Sequence, residues 1–241
     1  FLIRNQAGFK SLCQLLTYAN LQGFYHRPRM DYESILNADL SGLILMTACG
    51  GSFLMRDGGI DFLEKLIEKG AEIYFEIMPH DIPVQEKLHE QIIALRDDFD
   101  IPLVATNDCH YIHEHEWKAQ EVLLAIQRKE KWNDPNRWKF GFTGLHLRSA
   151  DEMIEAFMKQ GHFDRKDIII AMRNTLVIAR KCSRFRVRKR PISLPSVPKY
   201  QGKDPFAVLS GLAEDGLAKL LKTKKINEFQ YDDYKNRMIF E

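Results

Sequence analysis

Ile101-Pro102-Leu103-Val104-Ala105-Thr106-Asn107-Asp108-Cys109-His110-Tyr111 runs from an apolar strand straight into ligand-type side chains. The apolar half has the length of a buried strand. The polar half places Asp108 and His110 two residues apart, so both converge on one point from a strand-end loop. A carboxylate and an imidazole in that arrangement suit Zn, Mn or Fe. A capped loop carrying a surface histidine is the other reading of the same residues.

Two similar units precede this one. Gly42 to Ala48 is an apolar run of strand length that ends on Cys49-Gly50-Gly51. Ala71 to Met78 alternates, with Ile73, Phe75 and Ile77 on one face and Glu76 on the other, and ends near His80. Between the strands the spacing predicts helices over Gly59 to Lys69 and from Pro83, placed at a first turn, to about Asp97. Strand, helix, strand, helix, strand with short links is the pattern of a parallel α/β sheet. In α/β barrels the C-terminal strand ends carry the chemistry, because the βα loops converge there.

Cys49 is either a thiolate ligand or a small buried hydrophobe, the usual habit of a free cysteine. Gly50 and Gly51 would let the backbone approach a ligand. Glu76 could point into a barrel mouth, and His80 is either a ligand or a loop residue. His113 and His115 read as surface residues, and His89, on a helix, as solvated. The aromatic and basic loop Phe24 to Arg29 makes Arg27 and Arg29 candidates for an anion site, with His26 beside them. Arg180, Lys181, Arg184, Arg186, Arg188, Lys189 and Arg190 form a run without an acidic residue. Such a run either holds backbone phosphates or is solvated and meets an acidic partner.

The rest of the chain reads as helical: Gln6 to Gly23, Tyr32 to Leu36, Glu116 to Gln127 with Val122, Leu123 and Ile126 apolar, Asp151 to Lys159, and Lys166 to Cys182. Ser149 and Glu152 form a capping-box pattern before Asp151. Leu194-Pro195-Ser196-Val197-Pro198 reads as an extended linker, and new helices follow from Asp204 and from Tyr231. The domain reading is therefore 1–190, a linker over 191–203, and a helical region over 204–241. Phe1 opens as though inside a strand and Glu241 closes inside a helical pattern, which predicts a piece of something longer.

The 241 residues, 45% hydrophobic and 28% charged, suit a folded chain with a real core and exclude a disordered or fibrous one. The net charge of +2 gives no strong indication of a nucleic-acid partner. The four cysteines form no CxxC pair, which fits reduced thiols and a cytoplasmic setting. Neither an export signal nor a membrane span is indicated.

Six segments resemble, in order and spacing, the alpha subunits of bacterial DNA polymerase III, the C-family replicative polymerases. Gly23-Phe24-Tyr25-His26-Arg27-Pro28-Arg29-Met30-Asp31 is similar to that family's Gly-Phe-Tyr-Tyr-Lys-Pro-Arg-Ile-Asp. Gly42 to Cys49 resembles its strand ending in Ser-Gly-Cys, and Ile101 to Tyr111 resembles Ile-Pro-Leu-Val-Ala-Thr-Asn-Asp-Val-His-Tyr. Asp134-Pro135-Asn136-Arg137, Asn174 to Cys182 and Leu194 to Pro198 match three further segments. The resemblance implies part of a distorted (βα)7 PHP (polymerase and histidinol phosphatase) barrel with additional C-terminal helices. It implies Cys49, Asp108 and His110 as metal ligands, with His80 beside them, holding Zn or Mn with 3′–5′ exonuclease or structural roles. It also implies a parent enzyme with DNA template-primer and deoxynucleoside triphosphates as substrates and Mg²⁺ in a palm beyond this chain. Its partners would be a sliding clamp and a proofreading exonuclease. A free-standing PHP phosphoesterase and an inactive PHP interaction module are the alternatives. Gly50-Gly51-Ser52-Phe53, a short Arg56 to Gly70 connection and the heavy basic run depart from the family pattern and imply a divergent member.

Overall fold

Among the described residues, three of the four strands lie parallel because the connections between them are long enough for a helix to cross back over the sheet. The computed structural model describes residues 1–187, 191–192 and 197–241. The strands are β1 (Leu2–Ile3), β2 (Leu43–Met46), β3 (Glu72–Ile77) and β4 (Leu103–Ala105), in sheet order β1-β2-β3-β4. β2 pairs parallel with β3, Leu45 opposite Ile73, and β3 pairs parallel with β4, Glu76 opposite Val104. β1 is antiparallel to β2. Helices α1 (Gln6–Leu21) and α2 (Tyr32–Leu36) link β1 to β2. The crossover helices are α3 (Gly59–Glu68) and α4 (Pro83–Phe99). After β4 come α5 (Trp117–Arg128), α6 (Ala150–Gln160) and α7 (Arg165–Cys182).

The chain divides into two compact units, Phe1–Val187 and Arg188–Glu241. The second contains α8 (Pro205–Lys222) and α9 (Glu228–Phe240), started by the side-chain caps of Asp204 and Asn227. Residues 188–190 and 193–196, with most of the expected linker, lie outside the described residues. No helix among the described residues is long and apolar enough to cross a membrane.

Period-2 alternation holds as read. Leu43, Leu45, Ile73, Phe75, Ile77, Leu103 and Ala105 face one core with Leu63 and Leu66 of α3, Leu88 and Ile92 of α4, Phe157 of α6 and Ile168 of α7. Ile44, Tyr74 and Val104 face a smaller cluster with Ile178 of α7. Helix α7 runs along β4, and Asn174 donates to the Leu103 carbonyl (2.7 Å), taking up an edge acceptor of the sheet. The Ser149–Glu152 capping box forms as expected, starting α6.

The strands are shorter than their apolar runs. Pro102 has no amide to give the ladder, and the chain turns left-handed at Ala48 (φ 63°) and Asp108 (φ 47°) just past β2 and β4. Helix α5 departs further. Its expected apolar face, Val122, Leu123 and Ile126, is 42%, 60% and 68% exposed. It buries Glu121 and Ala125 instead, because Glu121 forms a buried ion pair with Arg137 (2.7 Å) and accepts from the Phe140 amide.

The first turn of α1 seats on the loop before β2 by glycine contact. A Cβ on Gly8 would collide with the Gly42 carbonyl, and one on Gly42 would collide with the Gly8 amide. Both partners are backbone and cannot swing aside. Gly8→Ala should therefore destabilise the first unit by about 2–3 kcal/mol, read as a lower urea midpoint at unchanged slope; a wild-type midpoint would refute the contact.

Candidate functional site

The C-terminal ends of β2, β3 and β4 are joined by one carboxylate. Glu76 is 7% exposed. Its Oε2 accepts from the Ala48 amide (3.1 Å), past β2, and its Oε1 accepts from the Thr106 hydroxyl (2.7 Å), past β4. Its own amide donates to the Thr47 hydroxyl (2.8 Å). The residue expected on the non-core face of β3, at a barrel mouth, is thus a buried fastener. Two neutral donors satisfy a buried carboxylate that would otherwise carry a large desolvation cost.

Beyond that fastener the ligand-type residues emerge. Asp108 and His110 are exposed on the loop after β4. The His110 Nδ1 lies 2.6 Å from the Asp108 carbonyl and 3.8 Å from Asp108 Oδ1. A carbonyl can only accept, so Nδ1 carries the proton, and in the neutral ring that leaves the lone pair on Nε2, the tautomer a metal-binding histidine needs. His80, past β3, is buried, and its Nε2 donates to the Asn107 carbonyl (3.2 Å). Burial is the chief cause that lowers its pKa, and Arg148 adds to it against the raising effects of Asn107 and Asp108. Cys49 is exposed, so the small-hydrophobe reading of it fails. Gly50 is there for packing: a Cβ would press on Val84 in the first turn of α4, whereas Gly51 has open space.

The donor types suit Zn or Mn, but among the described residues no group of three or more His, Cys, Asp or Glu side chains could hold an ion. Asp108 and His110 are brought together. The residues present do not complete a ligand set for the ion.

Asn107 anchors the surroundings. Its amide donates to the carbonyls of Gly144 (2.9 Å) and His146 (2.7 Å). The Tyr111 hydroxyl accepts from the amides of Gly144 and Leu145. A cavity of about 380 Å³ beside them is lined by His80, Phe142, Arg148, Lys159 and Gln160 among others.

The basic candidates lie apart from this cluster in the chain. Lys181 pairs with Glu72, the first residue of β3, which puts the start of the run at the opposite end of the strands from Glu76. Arg184 is exposed, and Arg186 donates to the carbonyls of Ser183 and Phe185. Arg188, Lys189 and Arg190 lie outside the described residues. Arg27 and Arg29 are exposed on the loop between α1 and α2, with Arg29 over the Tyr25 ring (5.2 Å).

His89, read as solvated, is fully buried. Its Nε2 accepts from the Gln85 side chain (3.0 Å) and the Met78 amide (3.4 Å), which ties α4 to the end of β3. Helical periodicity held the signal: His89 follows Leu88 and sits four residues after Gln85, on the inner face with Ile92. Burial, with His162 and His80 nearby, pushes its pKa down to about 3 from 6.5.

Two outcomes follow. Glu76→Ala should cost about 3 kcal/mol and Glu76→Gln about half that, since the amide keeps one acceptor and turns a donor toward the other; urea denaturation measures both, and a fully stable Ala variant would rule out the fastener. His89 stays neutral when folded but takes a proton when unfolded, so its contribution is present above pH 6.5 and drains as pH falls toward 3. Between pH 7 and 5 the wild type should lose about 2 kcal/mol more than His89→Gln; parallel pH curves would contradict this.

No family model matches the chain. Curated relatives do. The DNA polymerase III subunit alpha of Borreliella burgdorferi is 31% identical over 221 residues, 88% of this chain and 18% of the relative. That of Thermus aquaticus is 32% identical over 190 residues, 75% of this chain and 15% of the relative. That of Campylobacter jejuni is 28% identical over 273 residues, 99% of this chain and 22% of the relative. The chain thus spans about a fifth of the length of the curated relatives it matches. The order and spacing of the six segments agree with this likeness, and the chain belongs with the DNA polymerase III alpha subunits, as the counterpart of one segment of them.

Proposed function

We propose that the protein carrying this segment is a DNA-directed DNA polymerase of the cytoplasm, adding deoxynucleotides to a primer end on a DNA template. The observation that supports this reading is the match to alpha subunits across 75% to 99% of the chain. Nucleotidyl transfer would use Mg²⁺ on palm carboxylates outside these 241 residues, and a sliding clamp and a proofreading exonuclease would be its partners.

Within that parent the segment is part of a PHP barrel. The parallel β2–β4 array with crossover helices α3 and α4 is the local architecture such a barrel repeats. This chain's own residues then do defined work. Glu76 holds three strand ends together. Asp108 fixes the tautomer of His110 through its carbonyl. Cys49, Asp108, His110 and His80 are our candidates for a Zn or Mn site whose set is completed by residues beyond the described ones. A scaffold role for the same barrel is the second reading, favoured by the lack of three converging donors among the described residues. A free-standing phosphoesterase is disfavoured, because the relatives carry this segment within far longer chains.

The test uses the full-length protein on a primed template. Primer extension should appear with Mg²⁺ and vanish when the palm carboxylates are replaced; a full-length protein that cannot extend a primer sinks the polymerase reading. Metal analysis of the same preparation separates the two roles of the barrel. Bound Zn or Mn that falls away on Asp108→Ala supports the ligand set, and a metal-free wild type leaves the scaffold role alone.

A further inference from the structure

Between α5 and α6, some twenty residues, 129–149, contain neither helix nor strand. Loops of that length without regular structure are uncommon in compact domains and are usually either functional or linker segments. This one is held in place. The buried Glu121–Arg137 pair and the Glu121–Phe140 amide bond fix its middle, and Asn107 fixes Gly144 and His146.

Its aromatic rings form a ladder. Ring centroids are 5.0 Å apart from Trp138 to Phe140, 5.9 Å from Phe140 to Phe142 and 5.3 Å from Phe142 to His80. Phe140 also meets His110 at 4.9 Å. The inner end of the ladder is therefore the strand-end histidines. The outer end is open: Trp132 is 50% and Trp138 43% exposed. Each carries a guanidinium over its ring, Arg137 at 4.5 Å and Arg128 at 5.5 Å. Lys129, Lys131 and Lys139 are exposed and have no carboxylate partner among the described residues. At the inner end the buried Arg148 Nε has no hydrogen-bond partner and lies beside the His80 cavity.

A ring cluster serving packing alone would bury its tryptophans. Half-exposed rings backed by cations, with unpaired lysines along the edge, instead suit bases stacked on aromatic faces with the phosphates held by ammonium groups. Tryptophan with arginine also marks protein hot spots, but those centre on a dry pocket, and this ladder runs inward to polar histidines. We propose that the 129–149 loop is a stacking track for a single strand of nucleic acid, carrying it toward His80 and His110. The destination rests on the strand-end site proposed above; the stacking itself does not.

The 241-residue chain tests it directly, because its three tryptophans are Trp117, Trp132 and Trp138, on α5 and the loop. A dodecamer of oligothymidylate should quench their fluorescence, with affinity falling as salt rises, while polyphosphate of equal charge should not quench. Trp138→Ala and Trp132→Ala should each weaken binding of the labelled oligomer on the order of tenfold by anisotropy, and Trp138→Phe should retain most of it. Unchanged affinity in the alanine variants, equal quenching by polyphosphate, or no binding would overturn the track. Should an alanine variant fail to fold by circular dichroism, the quenching comparison on wild type decides alone. A chain that binds oligothymidylate while the full-length protein cannot extend primers would sink only the polymerase reading, and the reverse result only the track.

Discussion

A carboxylate with almost no solvent around it needs donors, and Glu76 finds them on the strands to either side. β2 and β4 are four and three residues long, too short for ladder bonds alone to fix where the loops after them begin. The Glu76 bonds supply what the ladders lack. The left-handed turns at Ala48 and Asp108 come just past these bonds. A backbone that bends sharply just past a fixed point sends Cys49 and Asp108 off the strand line and into solvent, where ligand-type side chains can act. Strain of this kind persists only where the surroundings over-determine it.

A second buried polar residue extends the constraint. Asn107 spends both amide hydrogens on the 144–146 backbone, and Tyr111 accepts from two amides of the same segment. The long loop after α5 is thereby stitched to the end of β4. The Glu121–Arg137 pair, at 10% and 8% side-chain exposure, stitches it again to α5. Asn107 Oδ1 and Arg148 Nε stay buried without a partner, yet the bonds that do form tie the loop at both ends, so it is a shaped surface despite lacking regular structure.

Much of this was legible in the sequence, for reasons that differ by element. The parallel array followed from apolar runs of strand length separated by helix-length spacers, and the two-residue alternation of Ile73, Phe75 and Ile77 named the core face. The Ser149–Glu152 box announced α6, because capping is local chemistry. Misreadings arose where a residue type was given its usual partner. A histidine on a helix reads as solvated because it is commonly wet, yet His89 is buried and binds the Met78 amide and the Gln85 side chain. Val122, Leu123 and Ile126 are apolar at helical spacing, yet Glu121 takes the inner face through an ion pair with a residue sixteen positions away. Glu76 was visible as an odd residue in a strand, but its partners, Ala48 and Thr106, are 28 and 30 residues distant, and spacing carries no trace of them. The aromatic ladder likewise comes from a fold of the loop that periodicity does not describe.

The same geometry bears on how these strand ends could serve as either a metal site or a scaffold. In small metal-built domains the ion is itself the folding energy, and the site collapses without it. Here the strand ends are held by protein groups alone: Glu76 by an amide and a hydroxyl, Asn107 by two carbonyls, His110 by the Asp108 carbonyl. None of these bonds requires a ligand to form. Exchanging Cys49, Asp108 or His110, all exposed, would therefore touch donor chemistry while leaving Glu76 and the sheet in place. A fold built this way can lose or regain an ion without losing its shape.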